Sequence, residues 1–116
     1  MLLGAIDLKA WRRFRVMRSD ISKMLFRVID ELNQMRPPGD QLAKDMEAPL
    51  SGDAGRLDSA GLINLIALTE QKTAEDLGRP IMLTDEQTLS RINQVFGSLG
   101  SLADYIYRLM NESKNE

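Results

Sequence analysis

Leu57-Asp58-Ser59-Ala60-Gly61-Leu62-Ile63-Asn64-Leu65-Ile66-Ala67-Leu68-Thr69-Glu70 is the stretch on which the reading of this 116-residue chain turns. Asp58 and Ser59 are good helix-starting residues. A dense apolar pattern follows at once, with Leu62, Leu65, Ile66 and Thr69 recurring at three- and four-residue steps on one side. Ala60, Asn64, Ala67 and Gln71 form a second stripe at helical spacing that carries no large apolar group. The spacing therefore predicts a helix with one face to bury and one left open. Ser59 stands at its mouth, just after a loop rich in Gly, Asp and Pro.

Working outward, Gly78 supplies a stop for this helix, and Arg79-Pro80 reads as an extended or turn dipeptide. Upstream, Ile21, Leu25, Val28, Leu32 and Met35 make an apolar stripe behind a Ser19-Asp20 cap, ended by Pro37. Residues 41–57 form a long connection, pinned at Leu42, Met46 and Leu50, with room for a helical turn over residues 41–46. A long connection lets the first two helices run in a similar direction. Downstream, Thr84 and Gln87 fit a capping box for a third helix, whose apolar side is Leu89, Ile92, Val95 and Phe96. Gly97 and Gly100 break it. Ser101 caps a last helix, with Asp104 at the capping-box position and Leu102, Ile106, Leu109 and Met110 facing inward.

Taken together, this pattern resembles the acyl carrier and peptidyl carrier proteins. In that family an Asp-Ser pair opens the second helix of a small bundle, and the Ser hydroxyl carries 4′-phosphopantetheine. Asp58 and Ser59 match, as does Ser98-Leu99-Gly100-Ser101-Leu102-Ala103-Asp104-Tyr105-Ile106, which looks like the start of the family's last helix. The chain departs from the usual pattern at Arg56, where many members have Gly, and at Ala60, where many have a bulky apolar residue. The resemblance implies an all-α, four-helix carrier-like bundle. It implies Ser59 as the attachment residue, Asp58 as its helper toward the modifying transferase and its magnesium ion, and partner recognition by Ala60, Gly61, Asn64, Ala67, Glu70 and Gln71. The implied partners are a phosphopantetheinyl transferase, an acyl- or aminoacyl-activating enzyme, and downstream synthases of fatty acids, polyketides or nonribosomal peptides. The competing reading is an unmodified helical interaction or regulatory module in which Asp58-Ser59 only caps a helix.

Composition bounds the alternatives. The length fits one domain, and 43% hydrophobic residues suits a modest core. There is no His and no Cys, so a Ser-His or Cys-His nucleophile and a His/Cys zinc site are excluded. The chain is expected not to be an enzyme, and any thioester needs a thiol from an added group. Residues 1–18 carry a net +4 (Lys9, Arg12, Arg13, Arg15 and Arg18 against Asp7), so the remaining residues hold −6 of the overall −2. An acidic body disfavours nucleic acid. No run approaches the roughly 20 apolar residues of a membrane span, and the N-terminus lacks the marks of a secretory signal, so a cytoplasmic monomer is expected.

Three parts are expected: a basic N-terminal extension over residues 1–18 with a stripe of Leu3, Ile6, Ala10, Phe14 and Met17; a carrier-like domain over 19–110; and a disordered tail over 111–116. The methionines at 17, 24, 35, 46, 82 and 110 read as core filler. Asp30-Glu31 and Glu75-Asp76 read as solvated helix faces.

Overall fold

The computed structural model describes residues 16–52 and 55–112. Over these residues the protein is all-α. It has α1 (Arg18–Gln34), α2 (Ser59–Leu77), α3 (Glu86–Leu89), α4 (Ile92–Val95) and α5 (Leu99–Glu112), with a 3-10 turn at Pro38–Asp40. No strand forms among them; Pro49 and Ser98 make one isolated antiparallel bridge. Among the described residues no helix is long and apolar enough to cross a membrane.

The first helix is the common partner of the other two long ones. Ile21, Met24, Leu25, Val28, Ile29 and Leu32 of α1 are all buried, and α1 packs against both α2 and α5. Fully burying such a side chain contributes about 1.5–3 kcal/mol. From α2 the core takes Leu65 and Ile66. From α5 it takes Leu99, Leu102, Ala103, Tyr105, Ile106 and Met110, while Leu42, Leu50, Leu83, Val95 and Phe96 close it from the connections.

The helix directions follow from cross-links. Thr73 touches Met24 Sδ, Asp76 pairs with Arg27, and Lys72 pairs with Glu31. Arg36, just past the end of α1, lies beside Gly61 at the start of α2. From Met24–Thr73 through Glu31–Lys72 to Arg36–Gly61 the α1 number rises while the α2 number falls, so α1 and α2 are antiparallel, contrary to the expected similar direction. The long connection serves a different end. Its Leu50 N–H donates to Gly97 O at 3.0 Å, Leu99 N–H to Ala48 O at 3.1 Å, and Gly100 N–H to Met46 O at 2.6 Å, so it holds the start of α5. Leu57 N–H returns to Leu50 O at 3.1 Å, bringing the start of α2 to the same end. At the other end Arg79 donates to Met110 O at 2.6 Å. Thus α2 and α5 run in the same sense, against α1.

Several expected boundaries move. Helix α1 begins one residue before the expected Ser19-Asp20 cap, because Asp20 accepts from Met17 N–H at 3.1 Å and closes the first turn from inside it. Val16 packs against the core and Arg18 pairs with Asp104, so residues 16–18 belong to the folded body rather than to an extension. The stripe of Leu3, Ile6, Ala10 and Phe14 lies outside the described residues. Helix α5 runs on to Glu112, so Asn111 and Glu112 are helical rather than tail; residues 113–116 lie outside the described residues. The expected turn over 41–46 is replaced by Pro38–Asp40, where Pro38 sits at the favoured first position.

The expected third helix is two. Its cap is Asp85, not Thr84: Asp85 accepts from Thr88 N–H at 3.1 Å, and hydrogen bonding from Thr88 holds the Asp85 carboxyl below its usual range. The helix breaks at Ser90-Arg91, where the Ser90 hydroxyl donates to Gln87 O at 2.8 Å and competes with the backbone ladder. The break leaves Leu89 46% exposed, not on the apolar side, while Thr88, Val95 and Phe96 are buried. For α5 the cap is Ser98, not Ser101. Ser101 N–H donates to Ser98 Oγ at 3.1 Å and Ser98 N–H to Ser101 Oγ at 3.0 Å, a reciprocal capping box. Met24 and Met110 fill the core and Met46 is half-buried, but Met17, Met35 and Met82 are exposed.

The acidic pairs on α1 and α2 are not merely solvated. Lys72 is buried, paired with Glu31 across the interface and 3.5 Å from Glu75 on its own helix. Hydrogen bonding to Glu31 raises the Lys72 ammonium above its ordinary range, while Gln71 and then Lys72 lower the Glu75 carboxyl.

Replacing Leu65 by Ala is expected to cost about 2–5 kcal/mol, as for other buried leucines, read by chemical denaturation. A raised folded-state lysine stabilises the fold fully below its unfolded value and stops doing so as pH rises through the folded one. The stability advantage of wild type over Lys72→Met should therefore be constant through neutral pH and shrink at alkaline pH, above the ordinary lysine range. Denaturation midpoints at neutral and alkaline pH check this; a gap that stays constant would exclude the Lys72–Glu31 pair as its source.

Candidate functional site

The site is the mouth of α2. Asp58 is extended and its Oδ1 accepts from Gly61 N–H at 2.8 Å, which fixes the first turn. Ser59 is therefore the first helical residue. It is exposed, and its hydroxyl makes no hydrogen bond among the described residues. Leu62 N–H bonds to Asp58 O at 2.9 Å, so the Ser59 and Ala60 N–H groups remain among the orphan donors of a helix start. At the far end Gly78 takes φ 73°, the left-handed conformation that stops α2.

Two guanidiniums stand at this mouth. Arg36 donates to Asp40 O at 2.7 Å, to Asp40 Oδ2 at 3.0 Å and to Arg56 O at 3.3 Å, so it ties the end of α1 to the segment entering α2. Arg56 lies 3.7 Å from the other oxygen of Asp40. Asp40 thus offsets part of the local positive charge, to which the helix N-terminus adds about half a unit. The only hint of Arg36 in the sequence is its four-residue spacing from Asp40, which reads as an ordinary surface pair.

The open stripe is where the spacing put it: Ala60, Asn64, Ala67 and Gln71 are all exposed. The buried stripe is less even. Leu65, Ile66 and Thr69 are buried, but Leu62 is half-buried. Gly61 and Glu70 do not belong to the open surface. Gly61 is buried, and a Cβ there would stand 2.9 Å from Leu57 Cδ2 and 3.3 Å from Asp58 Oδ1, so the absence of a side chain serves the chain's own packing. Glu70 is half-buried and its carboxylate accepts from Leu83 N–H at 2.7 Å, tying the connection after α2 back to that helix. Ile63, at the edge of this stripe in helical projection and next to Ala67, is 65% exposed and adds an apolar group to the open face. Periodicity missed it because Ile63 adjoins Leu62 and Leu65 in sequence and looked like part of the buried run.

Among the described residues no group of three or more acidic, His or Cys side chains is placed to hold a metal. Comparison with protein-family models finds no match, nor does comparison with curated proteins or with solved structures.

Asp58→Ala is expected to destabilise the protein by about 0.5–2 kcal/mol through loss of the cap. Ser59→Ala should stay within about 0.5 kcal/mol of wild type, since it is an exposed group with no partner. Thermal melts of the two variants side by side measure the difference; equal losses would show that Ser59 shares in the cap.

Proposed function

We propose that this chain is a carrier protein, with Ser59 as the attachment residue for 4′-phosphopantetheine. The observation that carries the reading is the division of labour at the α2 mouth. Asp58 accounts for the cap, while Ser59 is exposed, has an unengaged hydroxyl and opens onto an uncovered face. The arm, when attached, supplies the thiol that the chain lacks, on which an acyl or aminoacyl cargo is held as a thioester. The residues fit such a group. Attachment from coenzyme A would form a bond from Ser59 Oγ to the pantetheine-bearing phosphorus, break the pyrophosphate P–O bond, release adenosine 3′,5′-bisphosphate and give the hydroxyl proton to a base of the transferase or to solvent. The resulting phosphodiester would sit against orphan N–H groups at a helix start, where anions are favoured. Arg56, three residues before Ser59 and 3.7 Å from Asp40, adds positive charge to the segment entering α2.

The finer fold reading belongs to the same proposal. Helices α1, α2 and α5 make the long members, and α3 with α4 stands in for the expected third helix of a four-helix carrier-like bundle. Within it, Ala60, Ile63, Asn64, Ala67 and Gln71 form the docking face for a phosphopantetheinyl transferase, the activating enzyme and the synthases, in a cytoplasmic setting. Gly61 and Glu70 shape that face without being part of it. Asp58 keeps one carboxylate oxygen clear of hydrogen bonds among the described residues, which leaves it available to the transferase's magnesium ion. An unmodified interaction module is the second reading, supported by the fact that capping alone accounts for Asp58.

Incubation with coenzyme A, magnesium and a transferase of broad tolerance is expected to add the mass of one phosphopantetheine to wild type and none to Ser59→Ala, with the peptide containing Ser59 carrying it. Absence of any mass gain with several transferases, or equal gain in the variant, would leave the module reading standing. Ala67→Arg should slow modification severalfold while moving stability by no more than about 0.5 kcal/mol; transferase kinetics beside a thermal melt measure both.

A further inference from the structure

A second polar feature lies where Arg18, which opens α1, meets α4 and the first half of α5. Here a cleft of about 330 Å³ is lined by Arg18, Arg91, Gln94, Asp104, Tyr105 and Arg108, among others. Its volume is in the range of small-ligand sites, about 300–1,000 Å³.

The charge in this cleft runs against the acidic balance of residues 19–116. Three guanidiniums meet one carboxylate, and that carboxylate, Asp104, is engaged by Arg18. Arg91 and Arg108 have no ion-pair partner among the described residues. Yet residues 19–116 carry a net −6, and Arg18, Arg27, Arg36, Lys44, Arg56 and Lys72 each face a carboxylate. Two unpaired like charges in one cleft repel, and a bound anion removes that repulsion.

The cleft is also partly preorganised. Arg18 is held by Asp104 on one side and lies over the Tyr107 ring, 4.4 Å from its centroid. The Tyr105 hydroxyl is already bonded to Thr88 Oγ1 at 2.6 Å, so it does not compete for a ligand. The Gln94 side-chain amide has no hydrogen bond among the described residues and can donate.

We propose that this cleft binds a small phosphate-bearing anion. Each guanidinium presents a planar fork of donors that matches phosphate oxygens in pairs. Two unpaired guanidiniums match the charge of about −1.5 to −2 on a phosphomonoester near neutral pH. The cleft is bounded by the single turn of α4, which suits a compact anion better than an extended acidic peptide. The site is independent of Ser59 and of the carrier reading.

The test is a two-dimensional NMR titration of the full chain at low ionic strength with inorganic phosphate, pyrophosphate and hexaglutamate as probes. Pyrophosphate is expected to shift the amide signals of Arg91, Gln94 and Arg108 saturably, and more tightly than hexaglutamate. Arg91→Gln with Arg108→Gln should weaken binding by about tenfold or more, since each lost fork removes charge-assisted hydrogen bonds. Both positions are exposed, and circular dichroism is expected to show the helices intact. Arg56→Gln should bind as wild type does. Absence of saturable shifts, shifts centred on residues 59–61, or equal affinity in the double variant would overturn the proposal. Tighter binding of hexaglutamate would overturn it in favour of a docking site for an acidic protein segment.

Discussion

Everything in this protein leans on one helix. The apolar stripe of α1, from Ile21 to Leu32, is the surface against which α2 and α5 bury theirs, and the connections add Leu42, Leu50, Leu83 and Phe96 to close it. With few aromatic side chains in the chain, 5% in all, the core depends on many aliphatic contacts of modest size, each worth having only because its neighbours are in place. Helix α1 satisfies two partners at once, so a change on its inner face is felt by both.

Polar interactions then select the register within that apolar frame. Apolar contacts alone leave a helix pair free to slide or rotate by a turn. The Arg27–Asp76 and Lys72–Glu31 pairs fix α2 against α1. Asn33 clamps Leu42 from both sides, donating to its O at 2.9 Å and accepting from its N–H at 2.8 Å, so the long connection leaves α1 in one direction. Burying Lys72 carries a desolvation cost, and its close carboxylates are what make that burial tolerable.

Sequence periodicity located the long helices and the face of α2 that stays open, because those features depend on local spacing alone. The stop at Gly78 and the exposed position of Ser59 were legible for the same reason. What the spacing could not convey depends on distant partners. Asp30-Glu31 and Glu75-Asp76 read as solvated faces, yet Glu31 crosses to the buried Lys72 and Asp76 pairs with Arg27. Gly61 looked like a place for a visitor, but Leu57 and Asp58 occupy the space beside it. Glu70 looked outward, yet it holds Leu83. The break at Ser90-Arg91 had no Pro or Gly to announce it; a serine hydroxyl bonded to its own turn produced it. The caps of α3 and α5 were displaced, by one and three residues, because several Ser, Thr and Asp residues near each start compete and only the three-dimensional turn decides among them.

The open face of α2 has a consequence in entropy. Ala60 and Ala67 have no side-chain rotamers to freeze when another surface covers them. Asn64 is short, Ile63 is branched at Cβ and already stiff, and Gln71 is restrained by donating to Glu75 at 3.1 Å. Ordering long, floppy side chains on contact costs about 0.5–1.5 kcal/mol each, and this face largely lacks them. A small contact area can therefore suffice to hold a visitor briefly, without the extensive interface that would slow its departure. A surface of this kind favours repeated short encounters over lasting assembly.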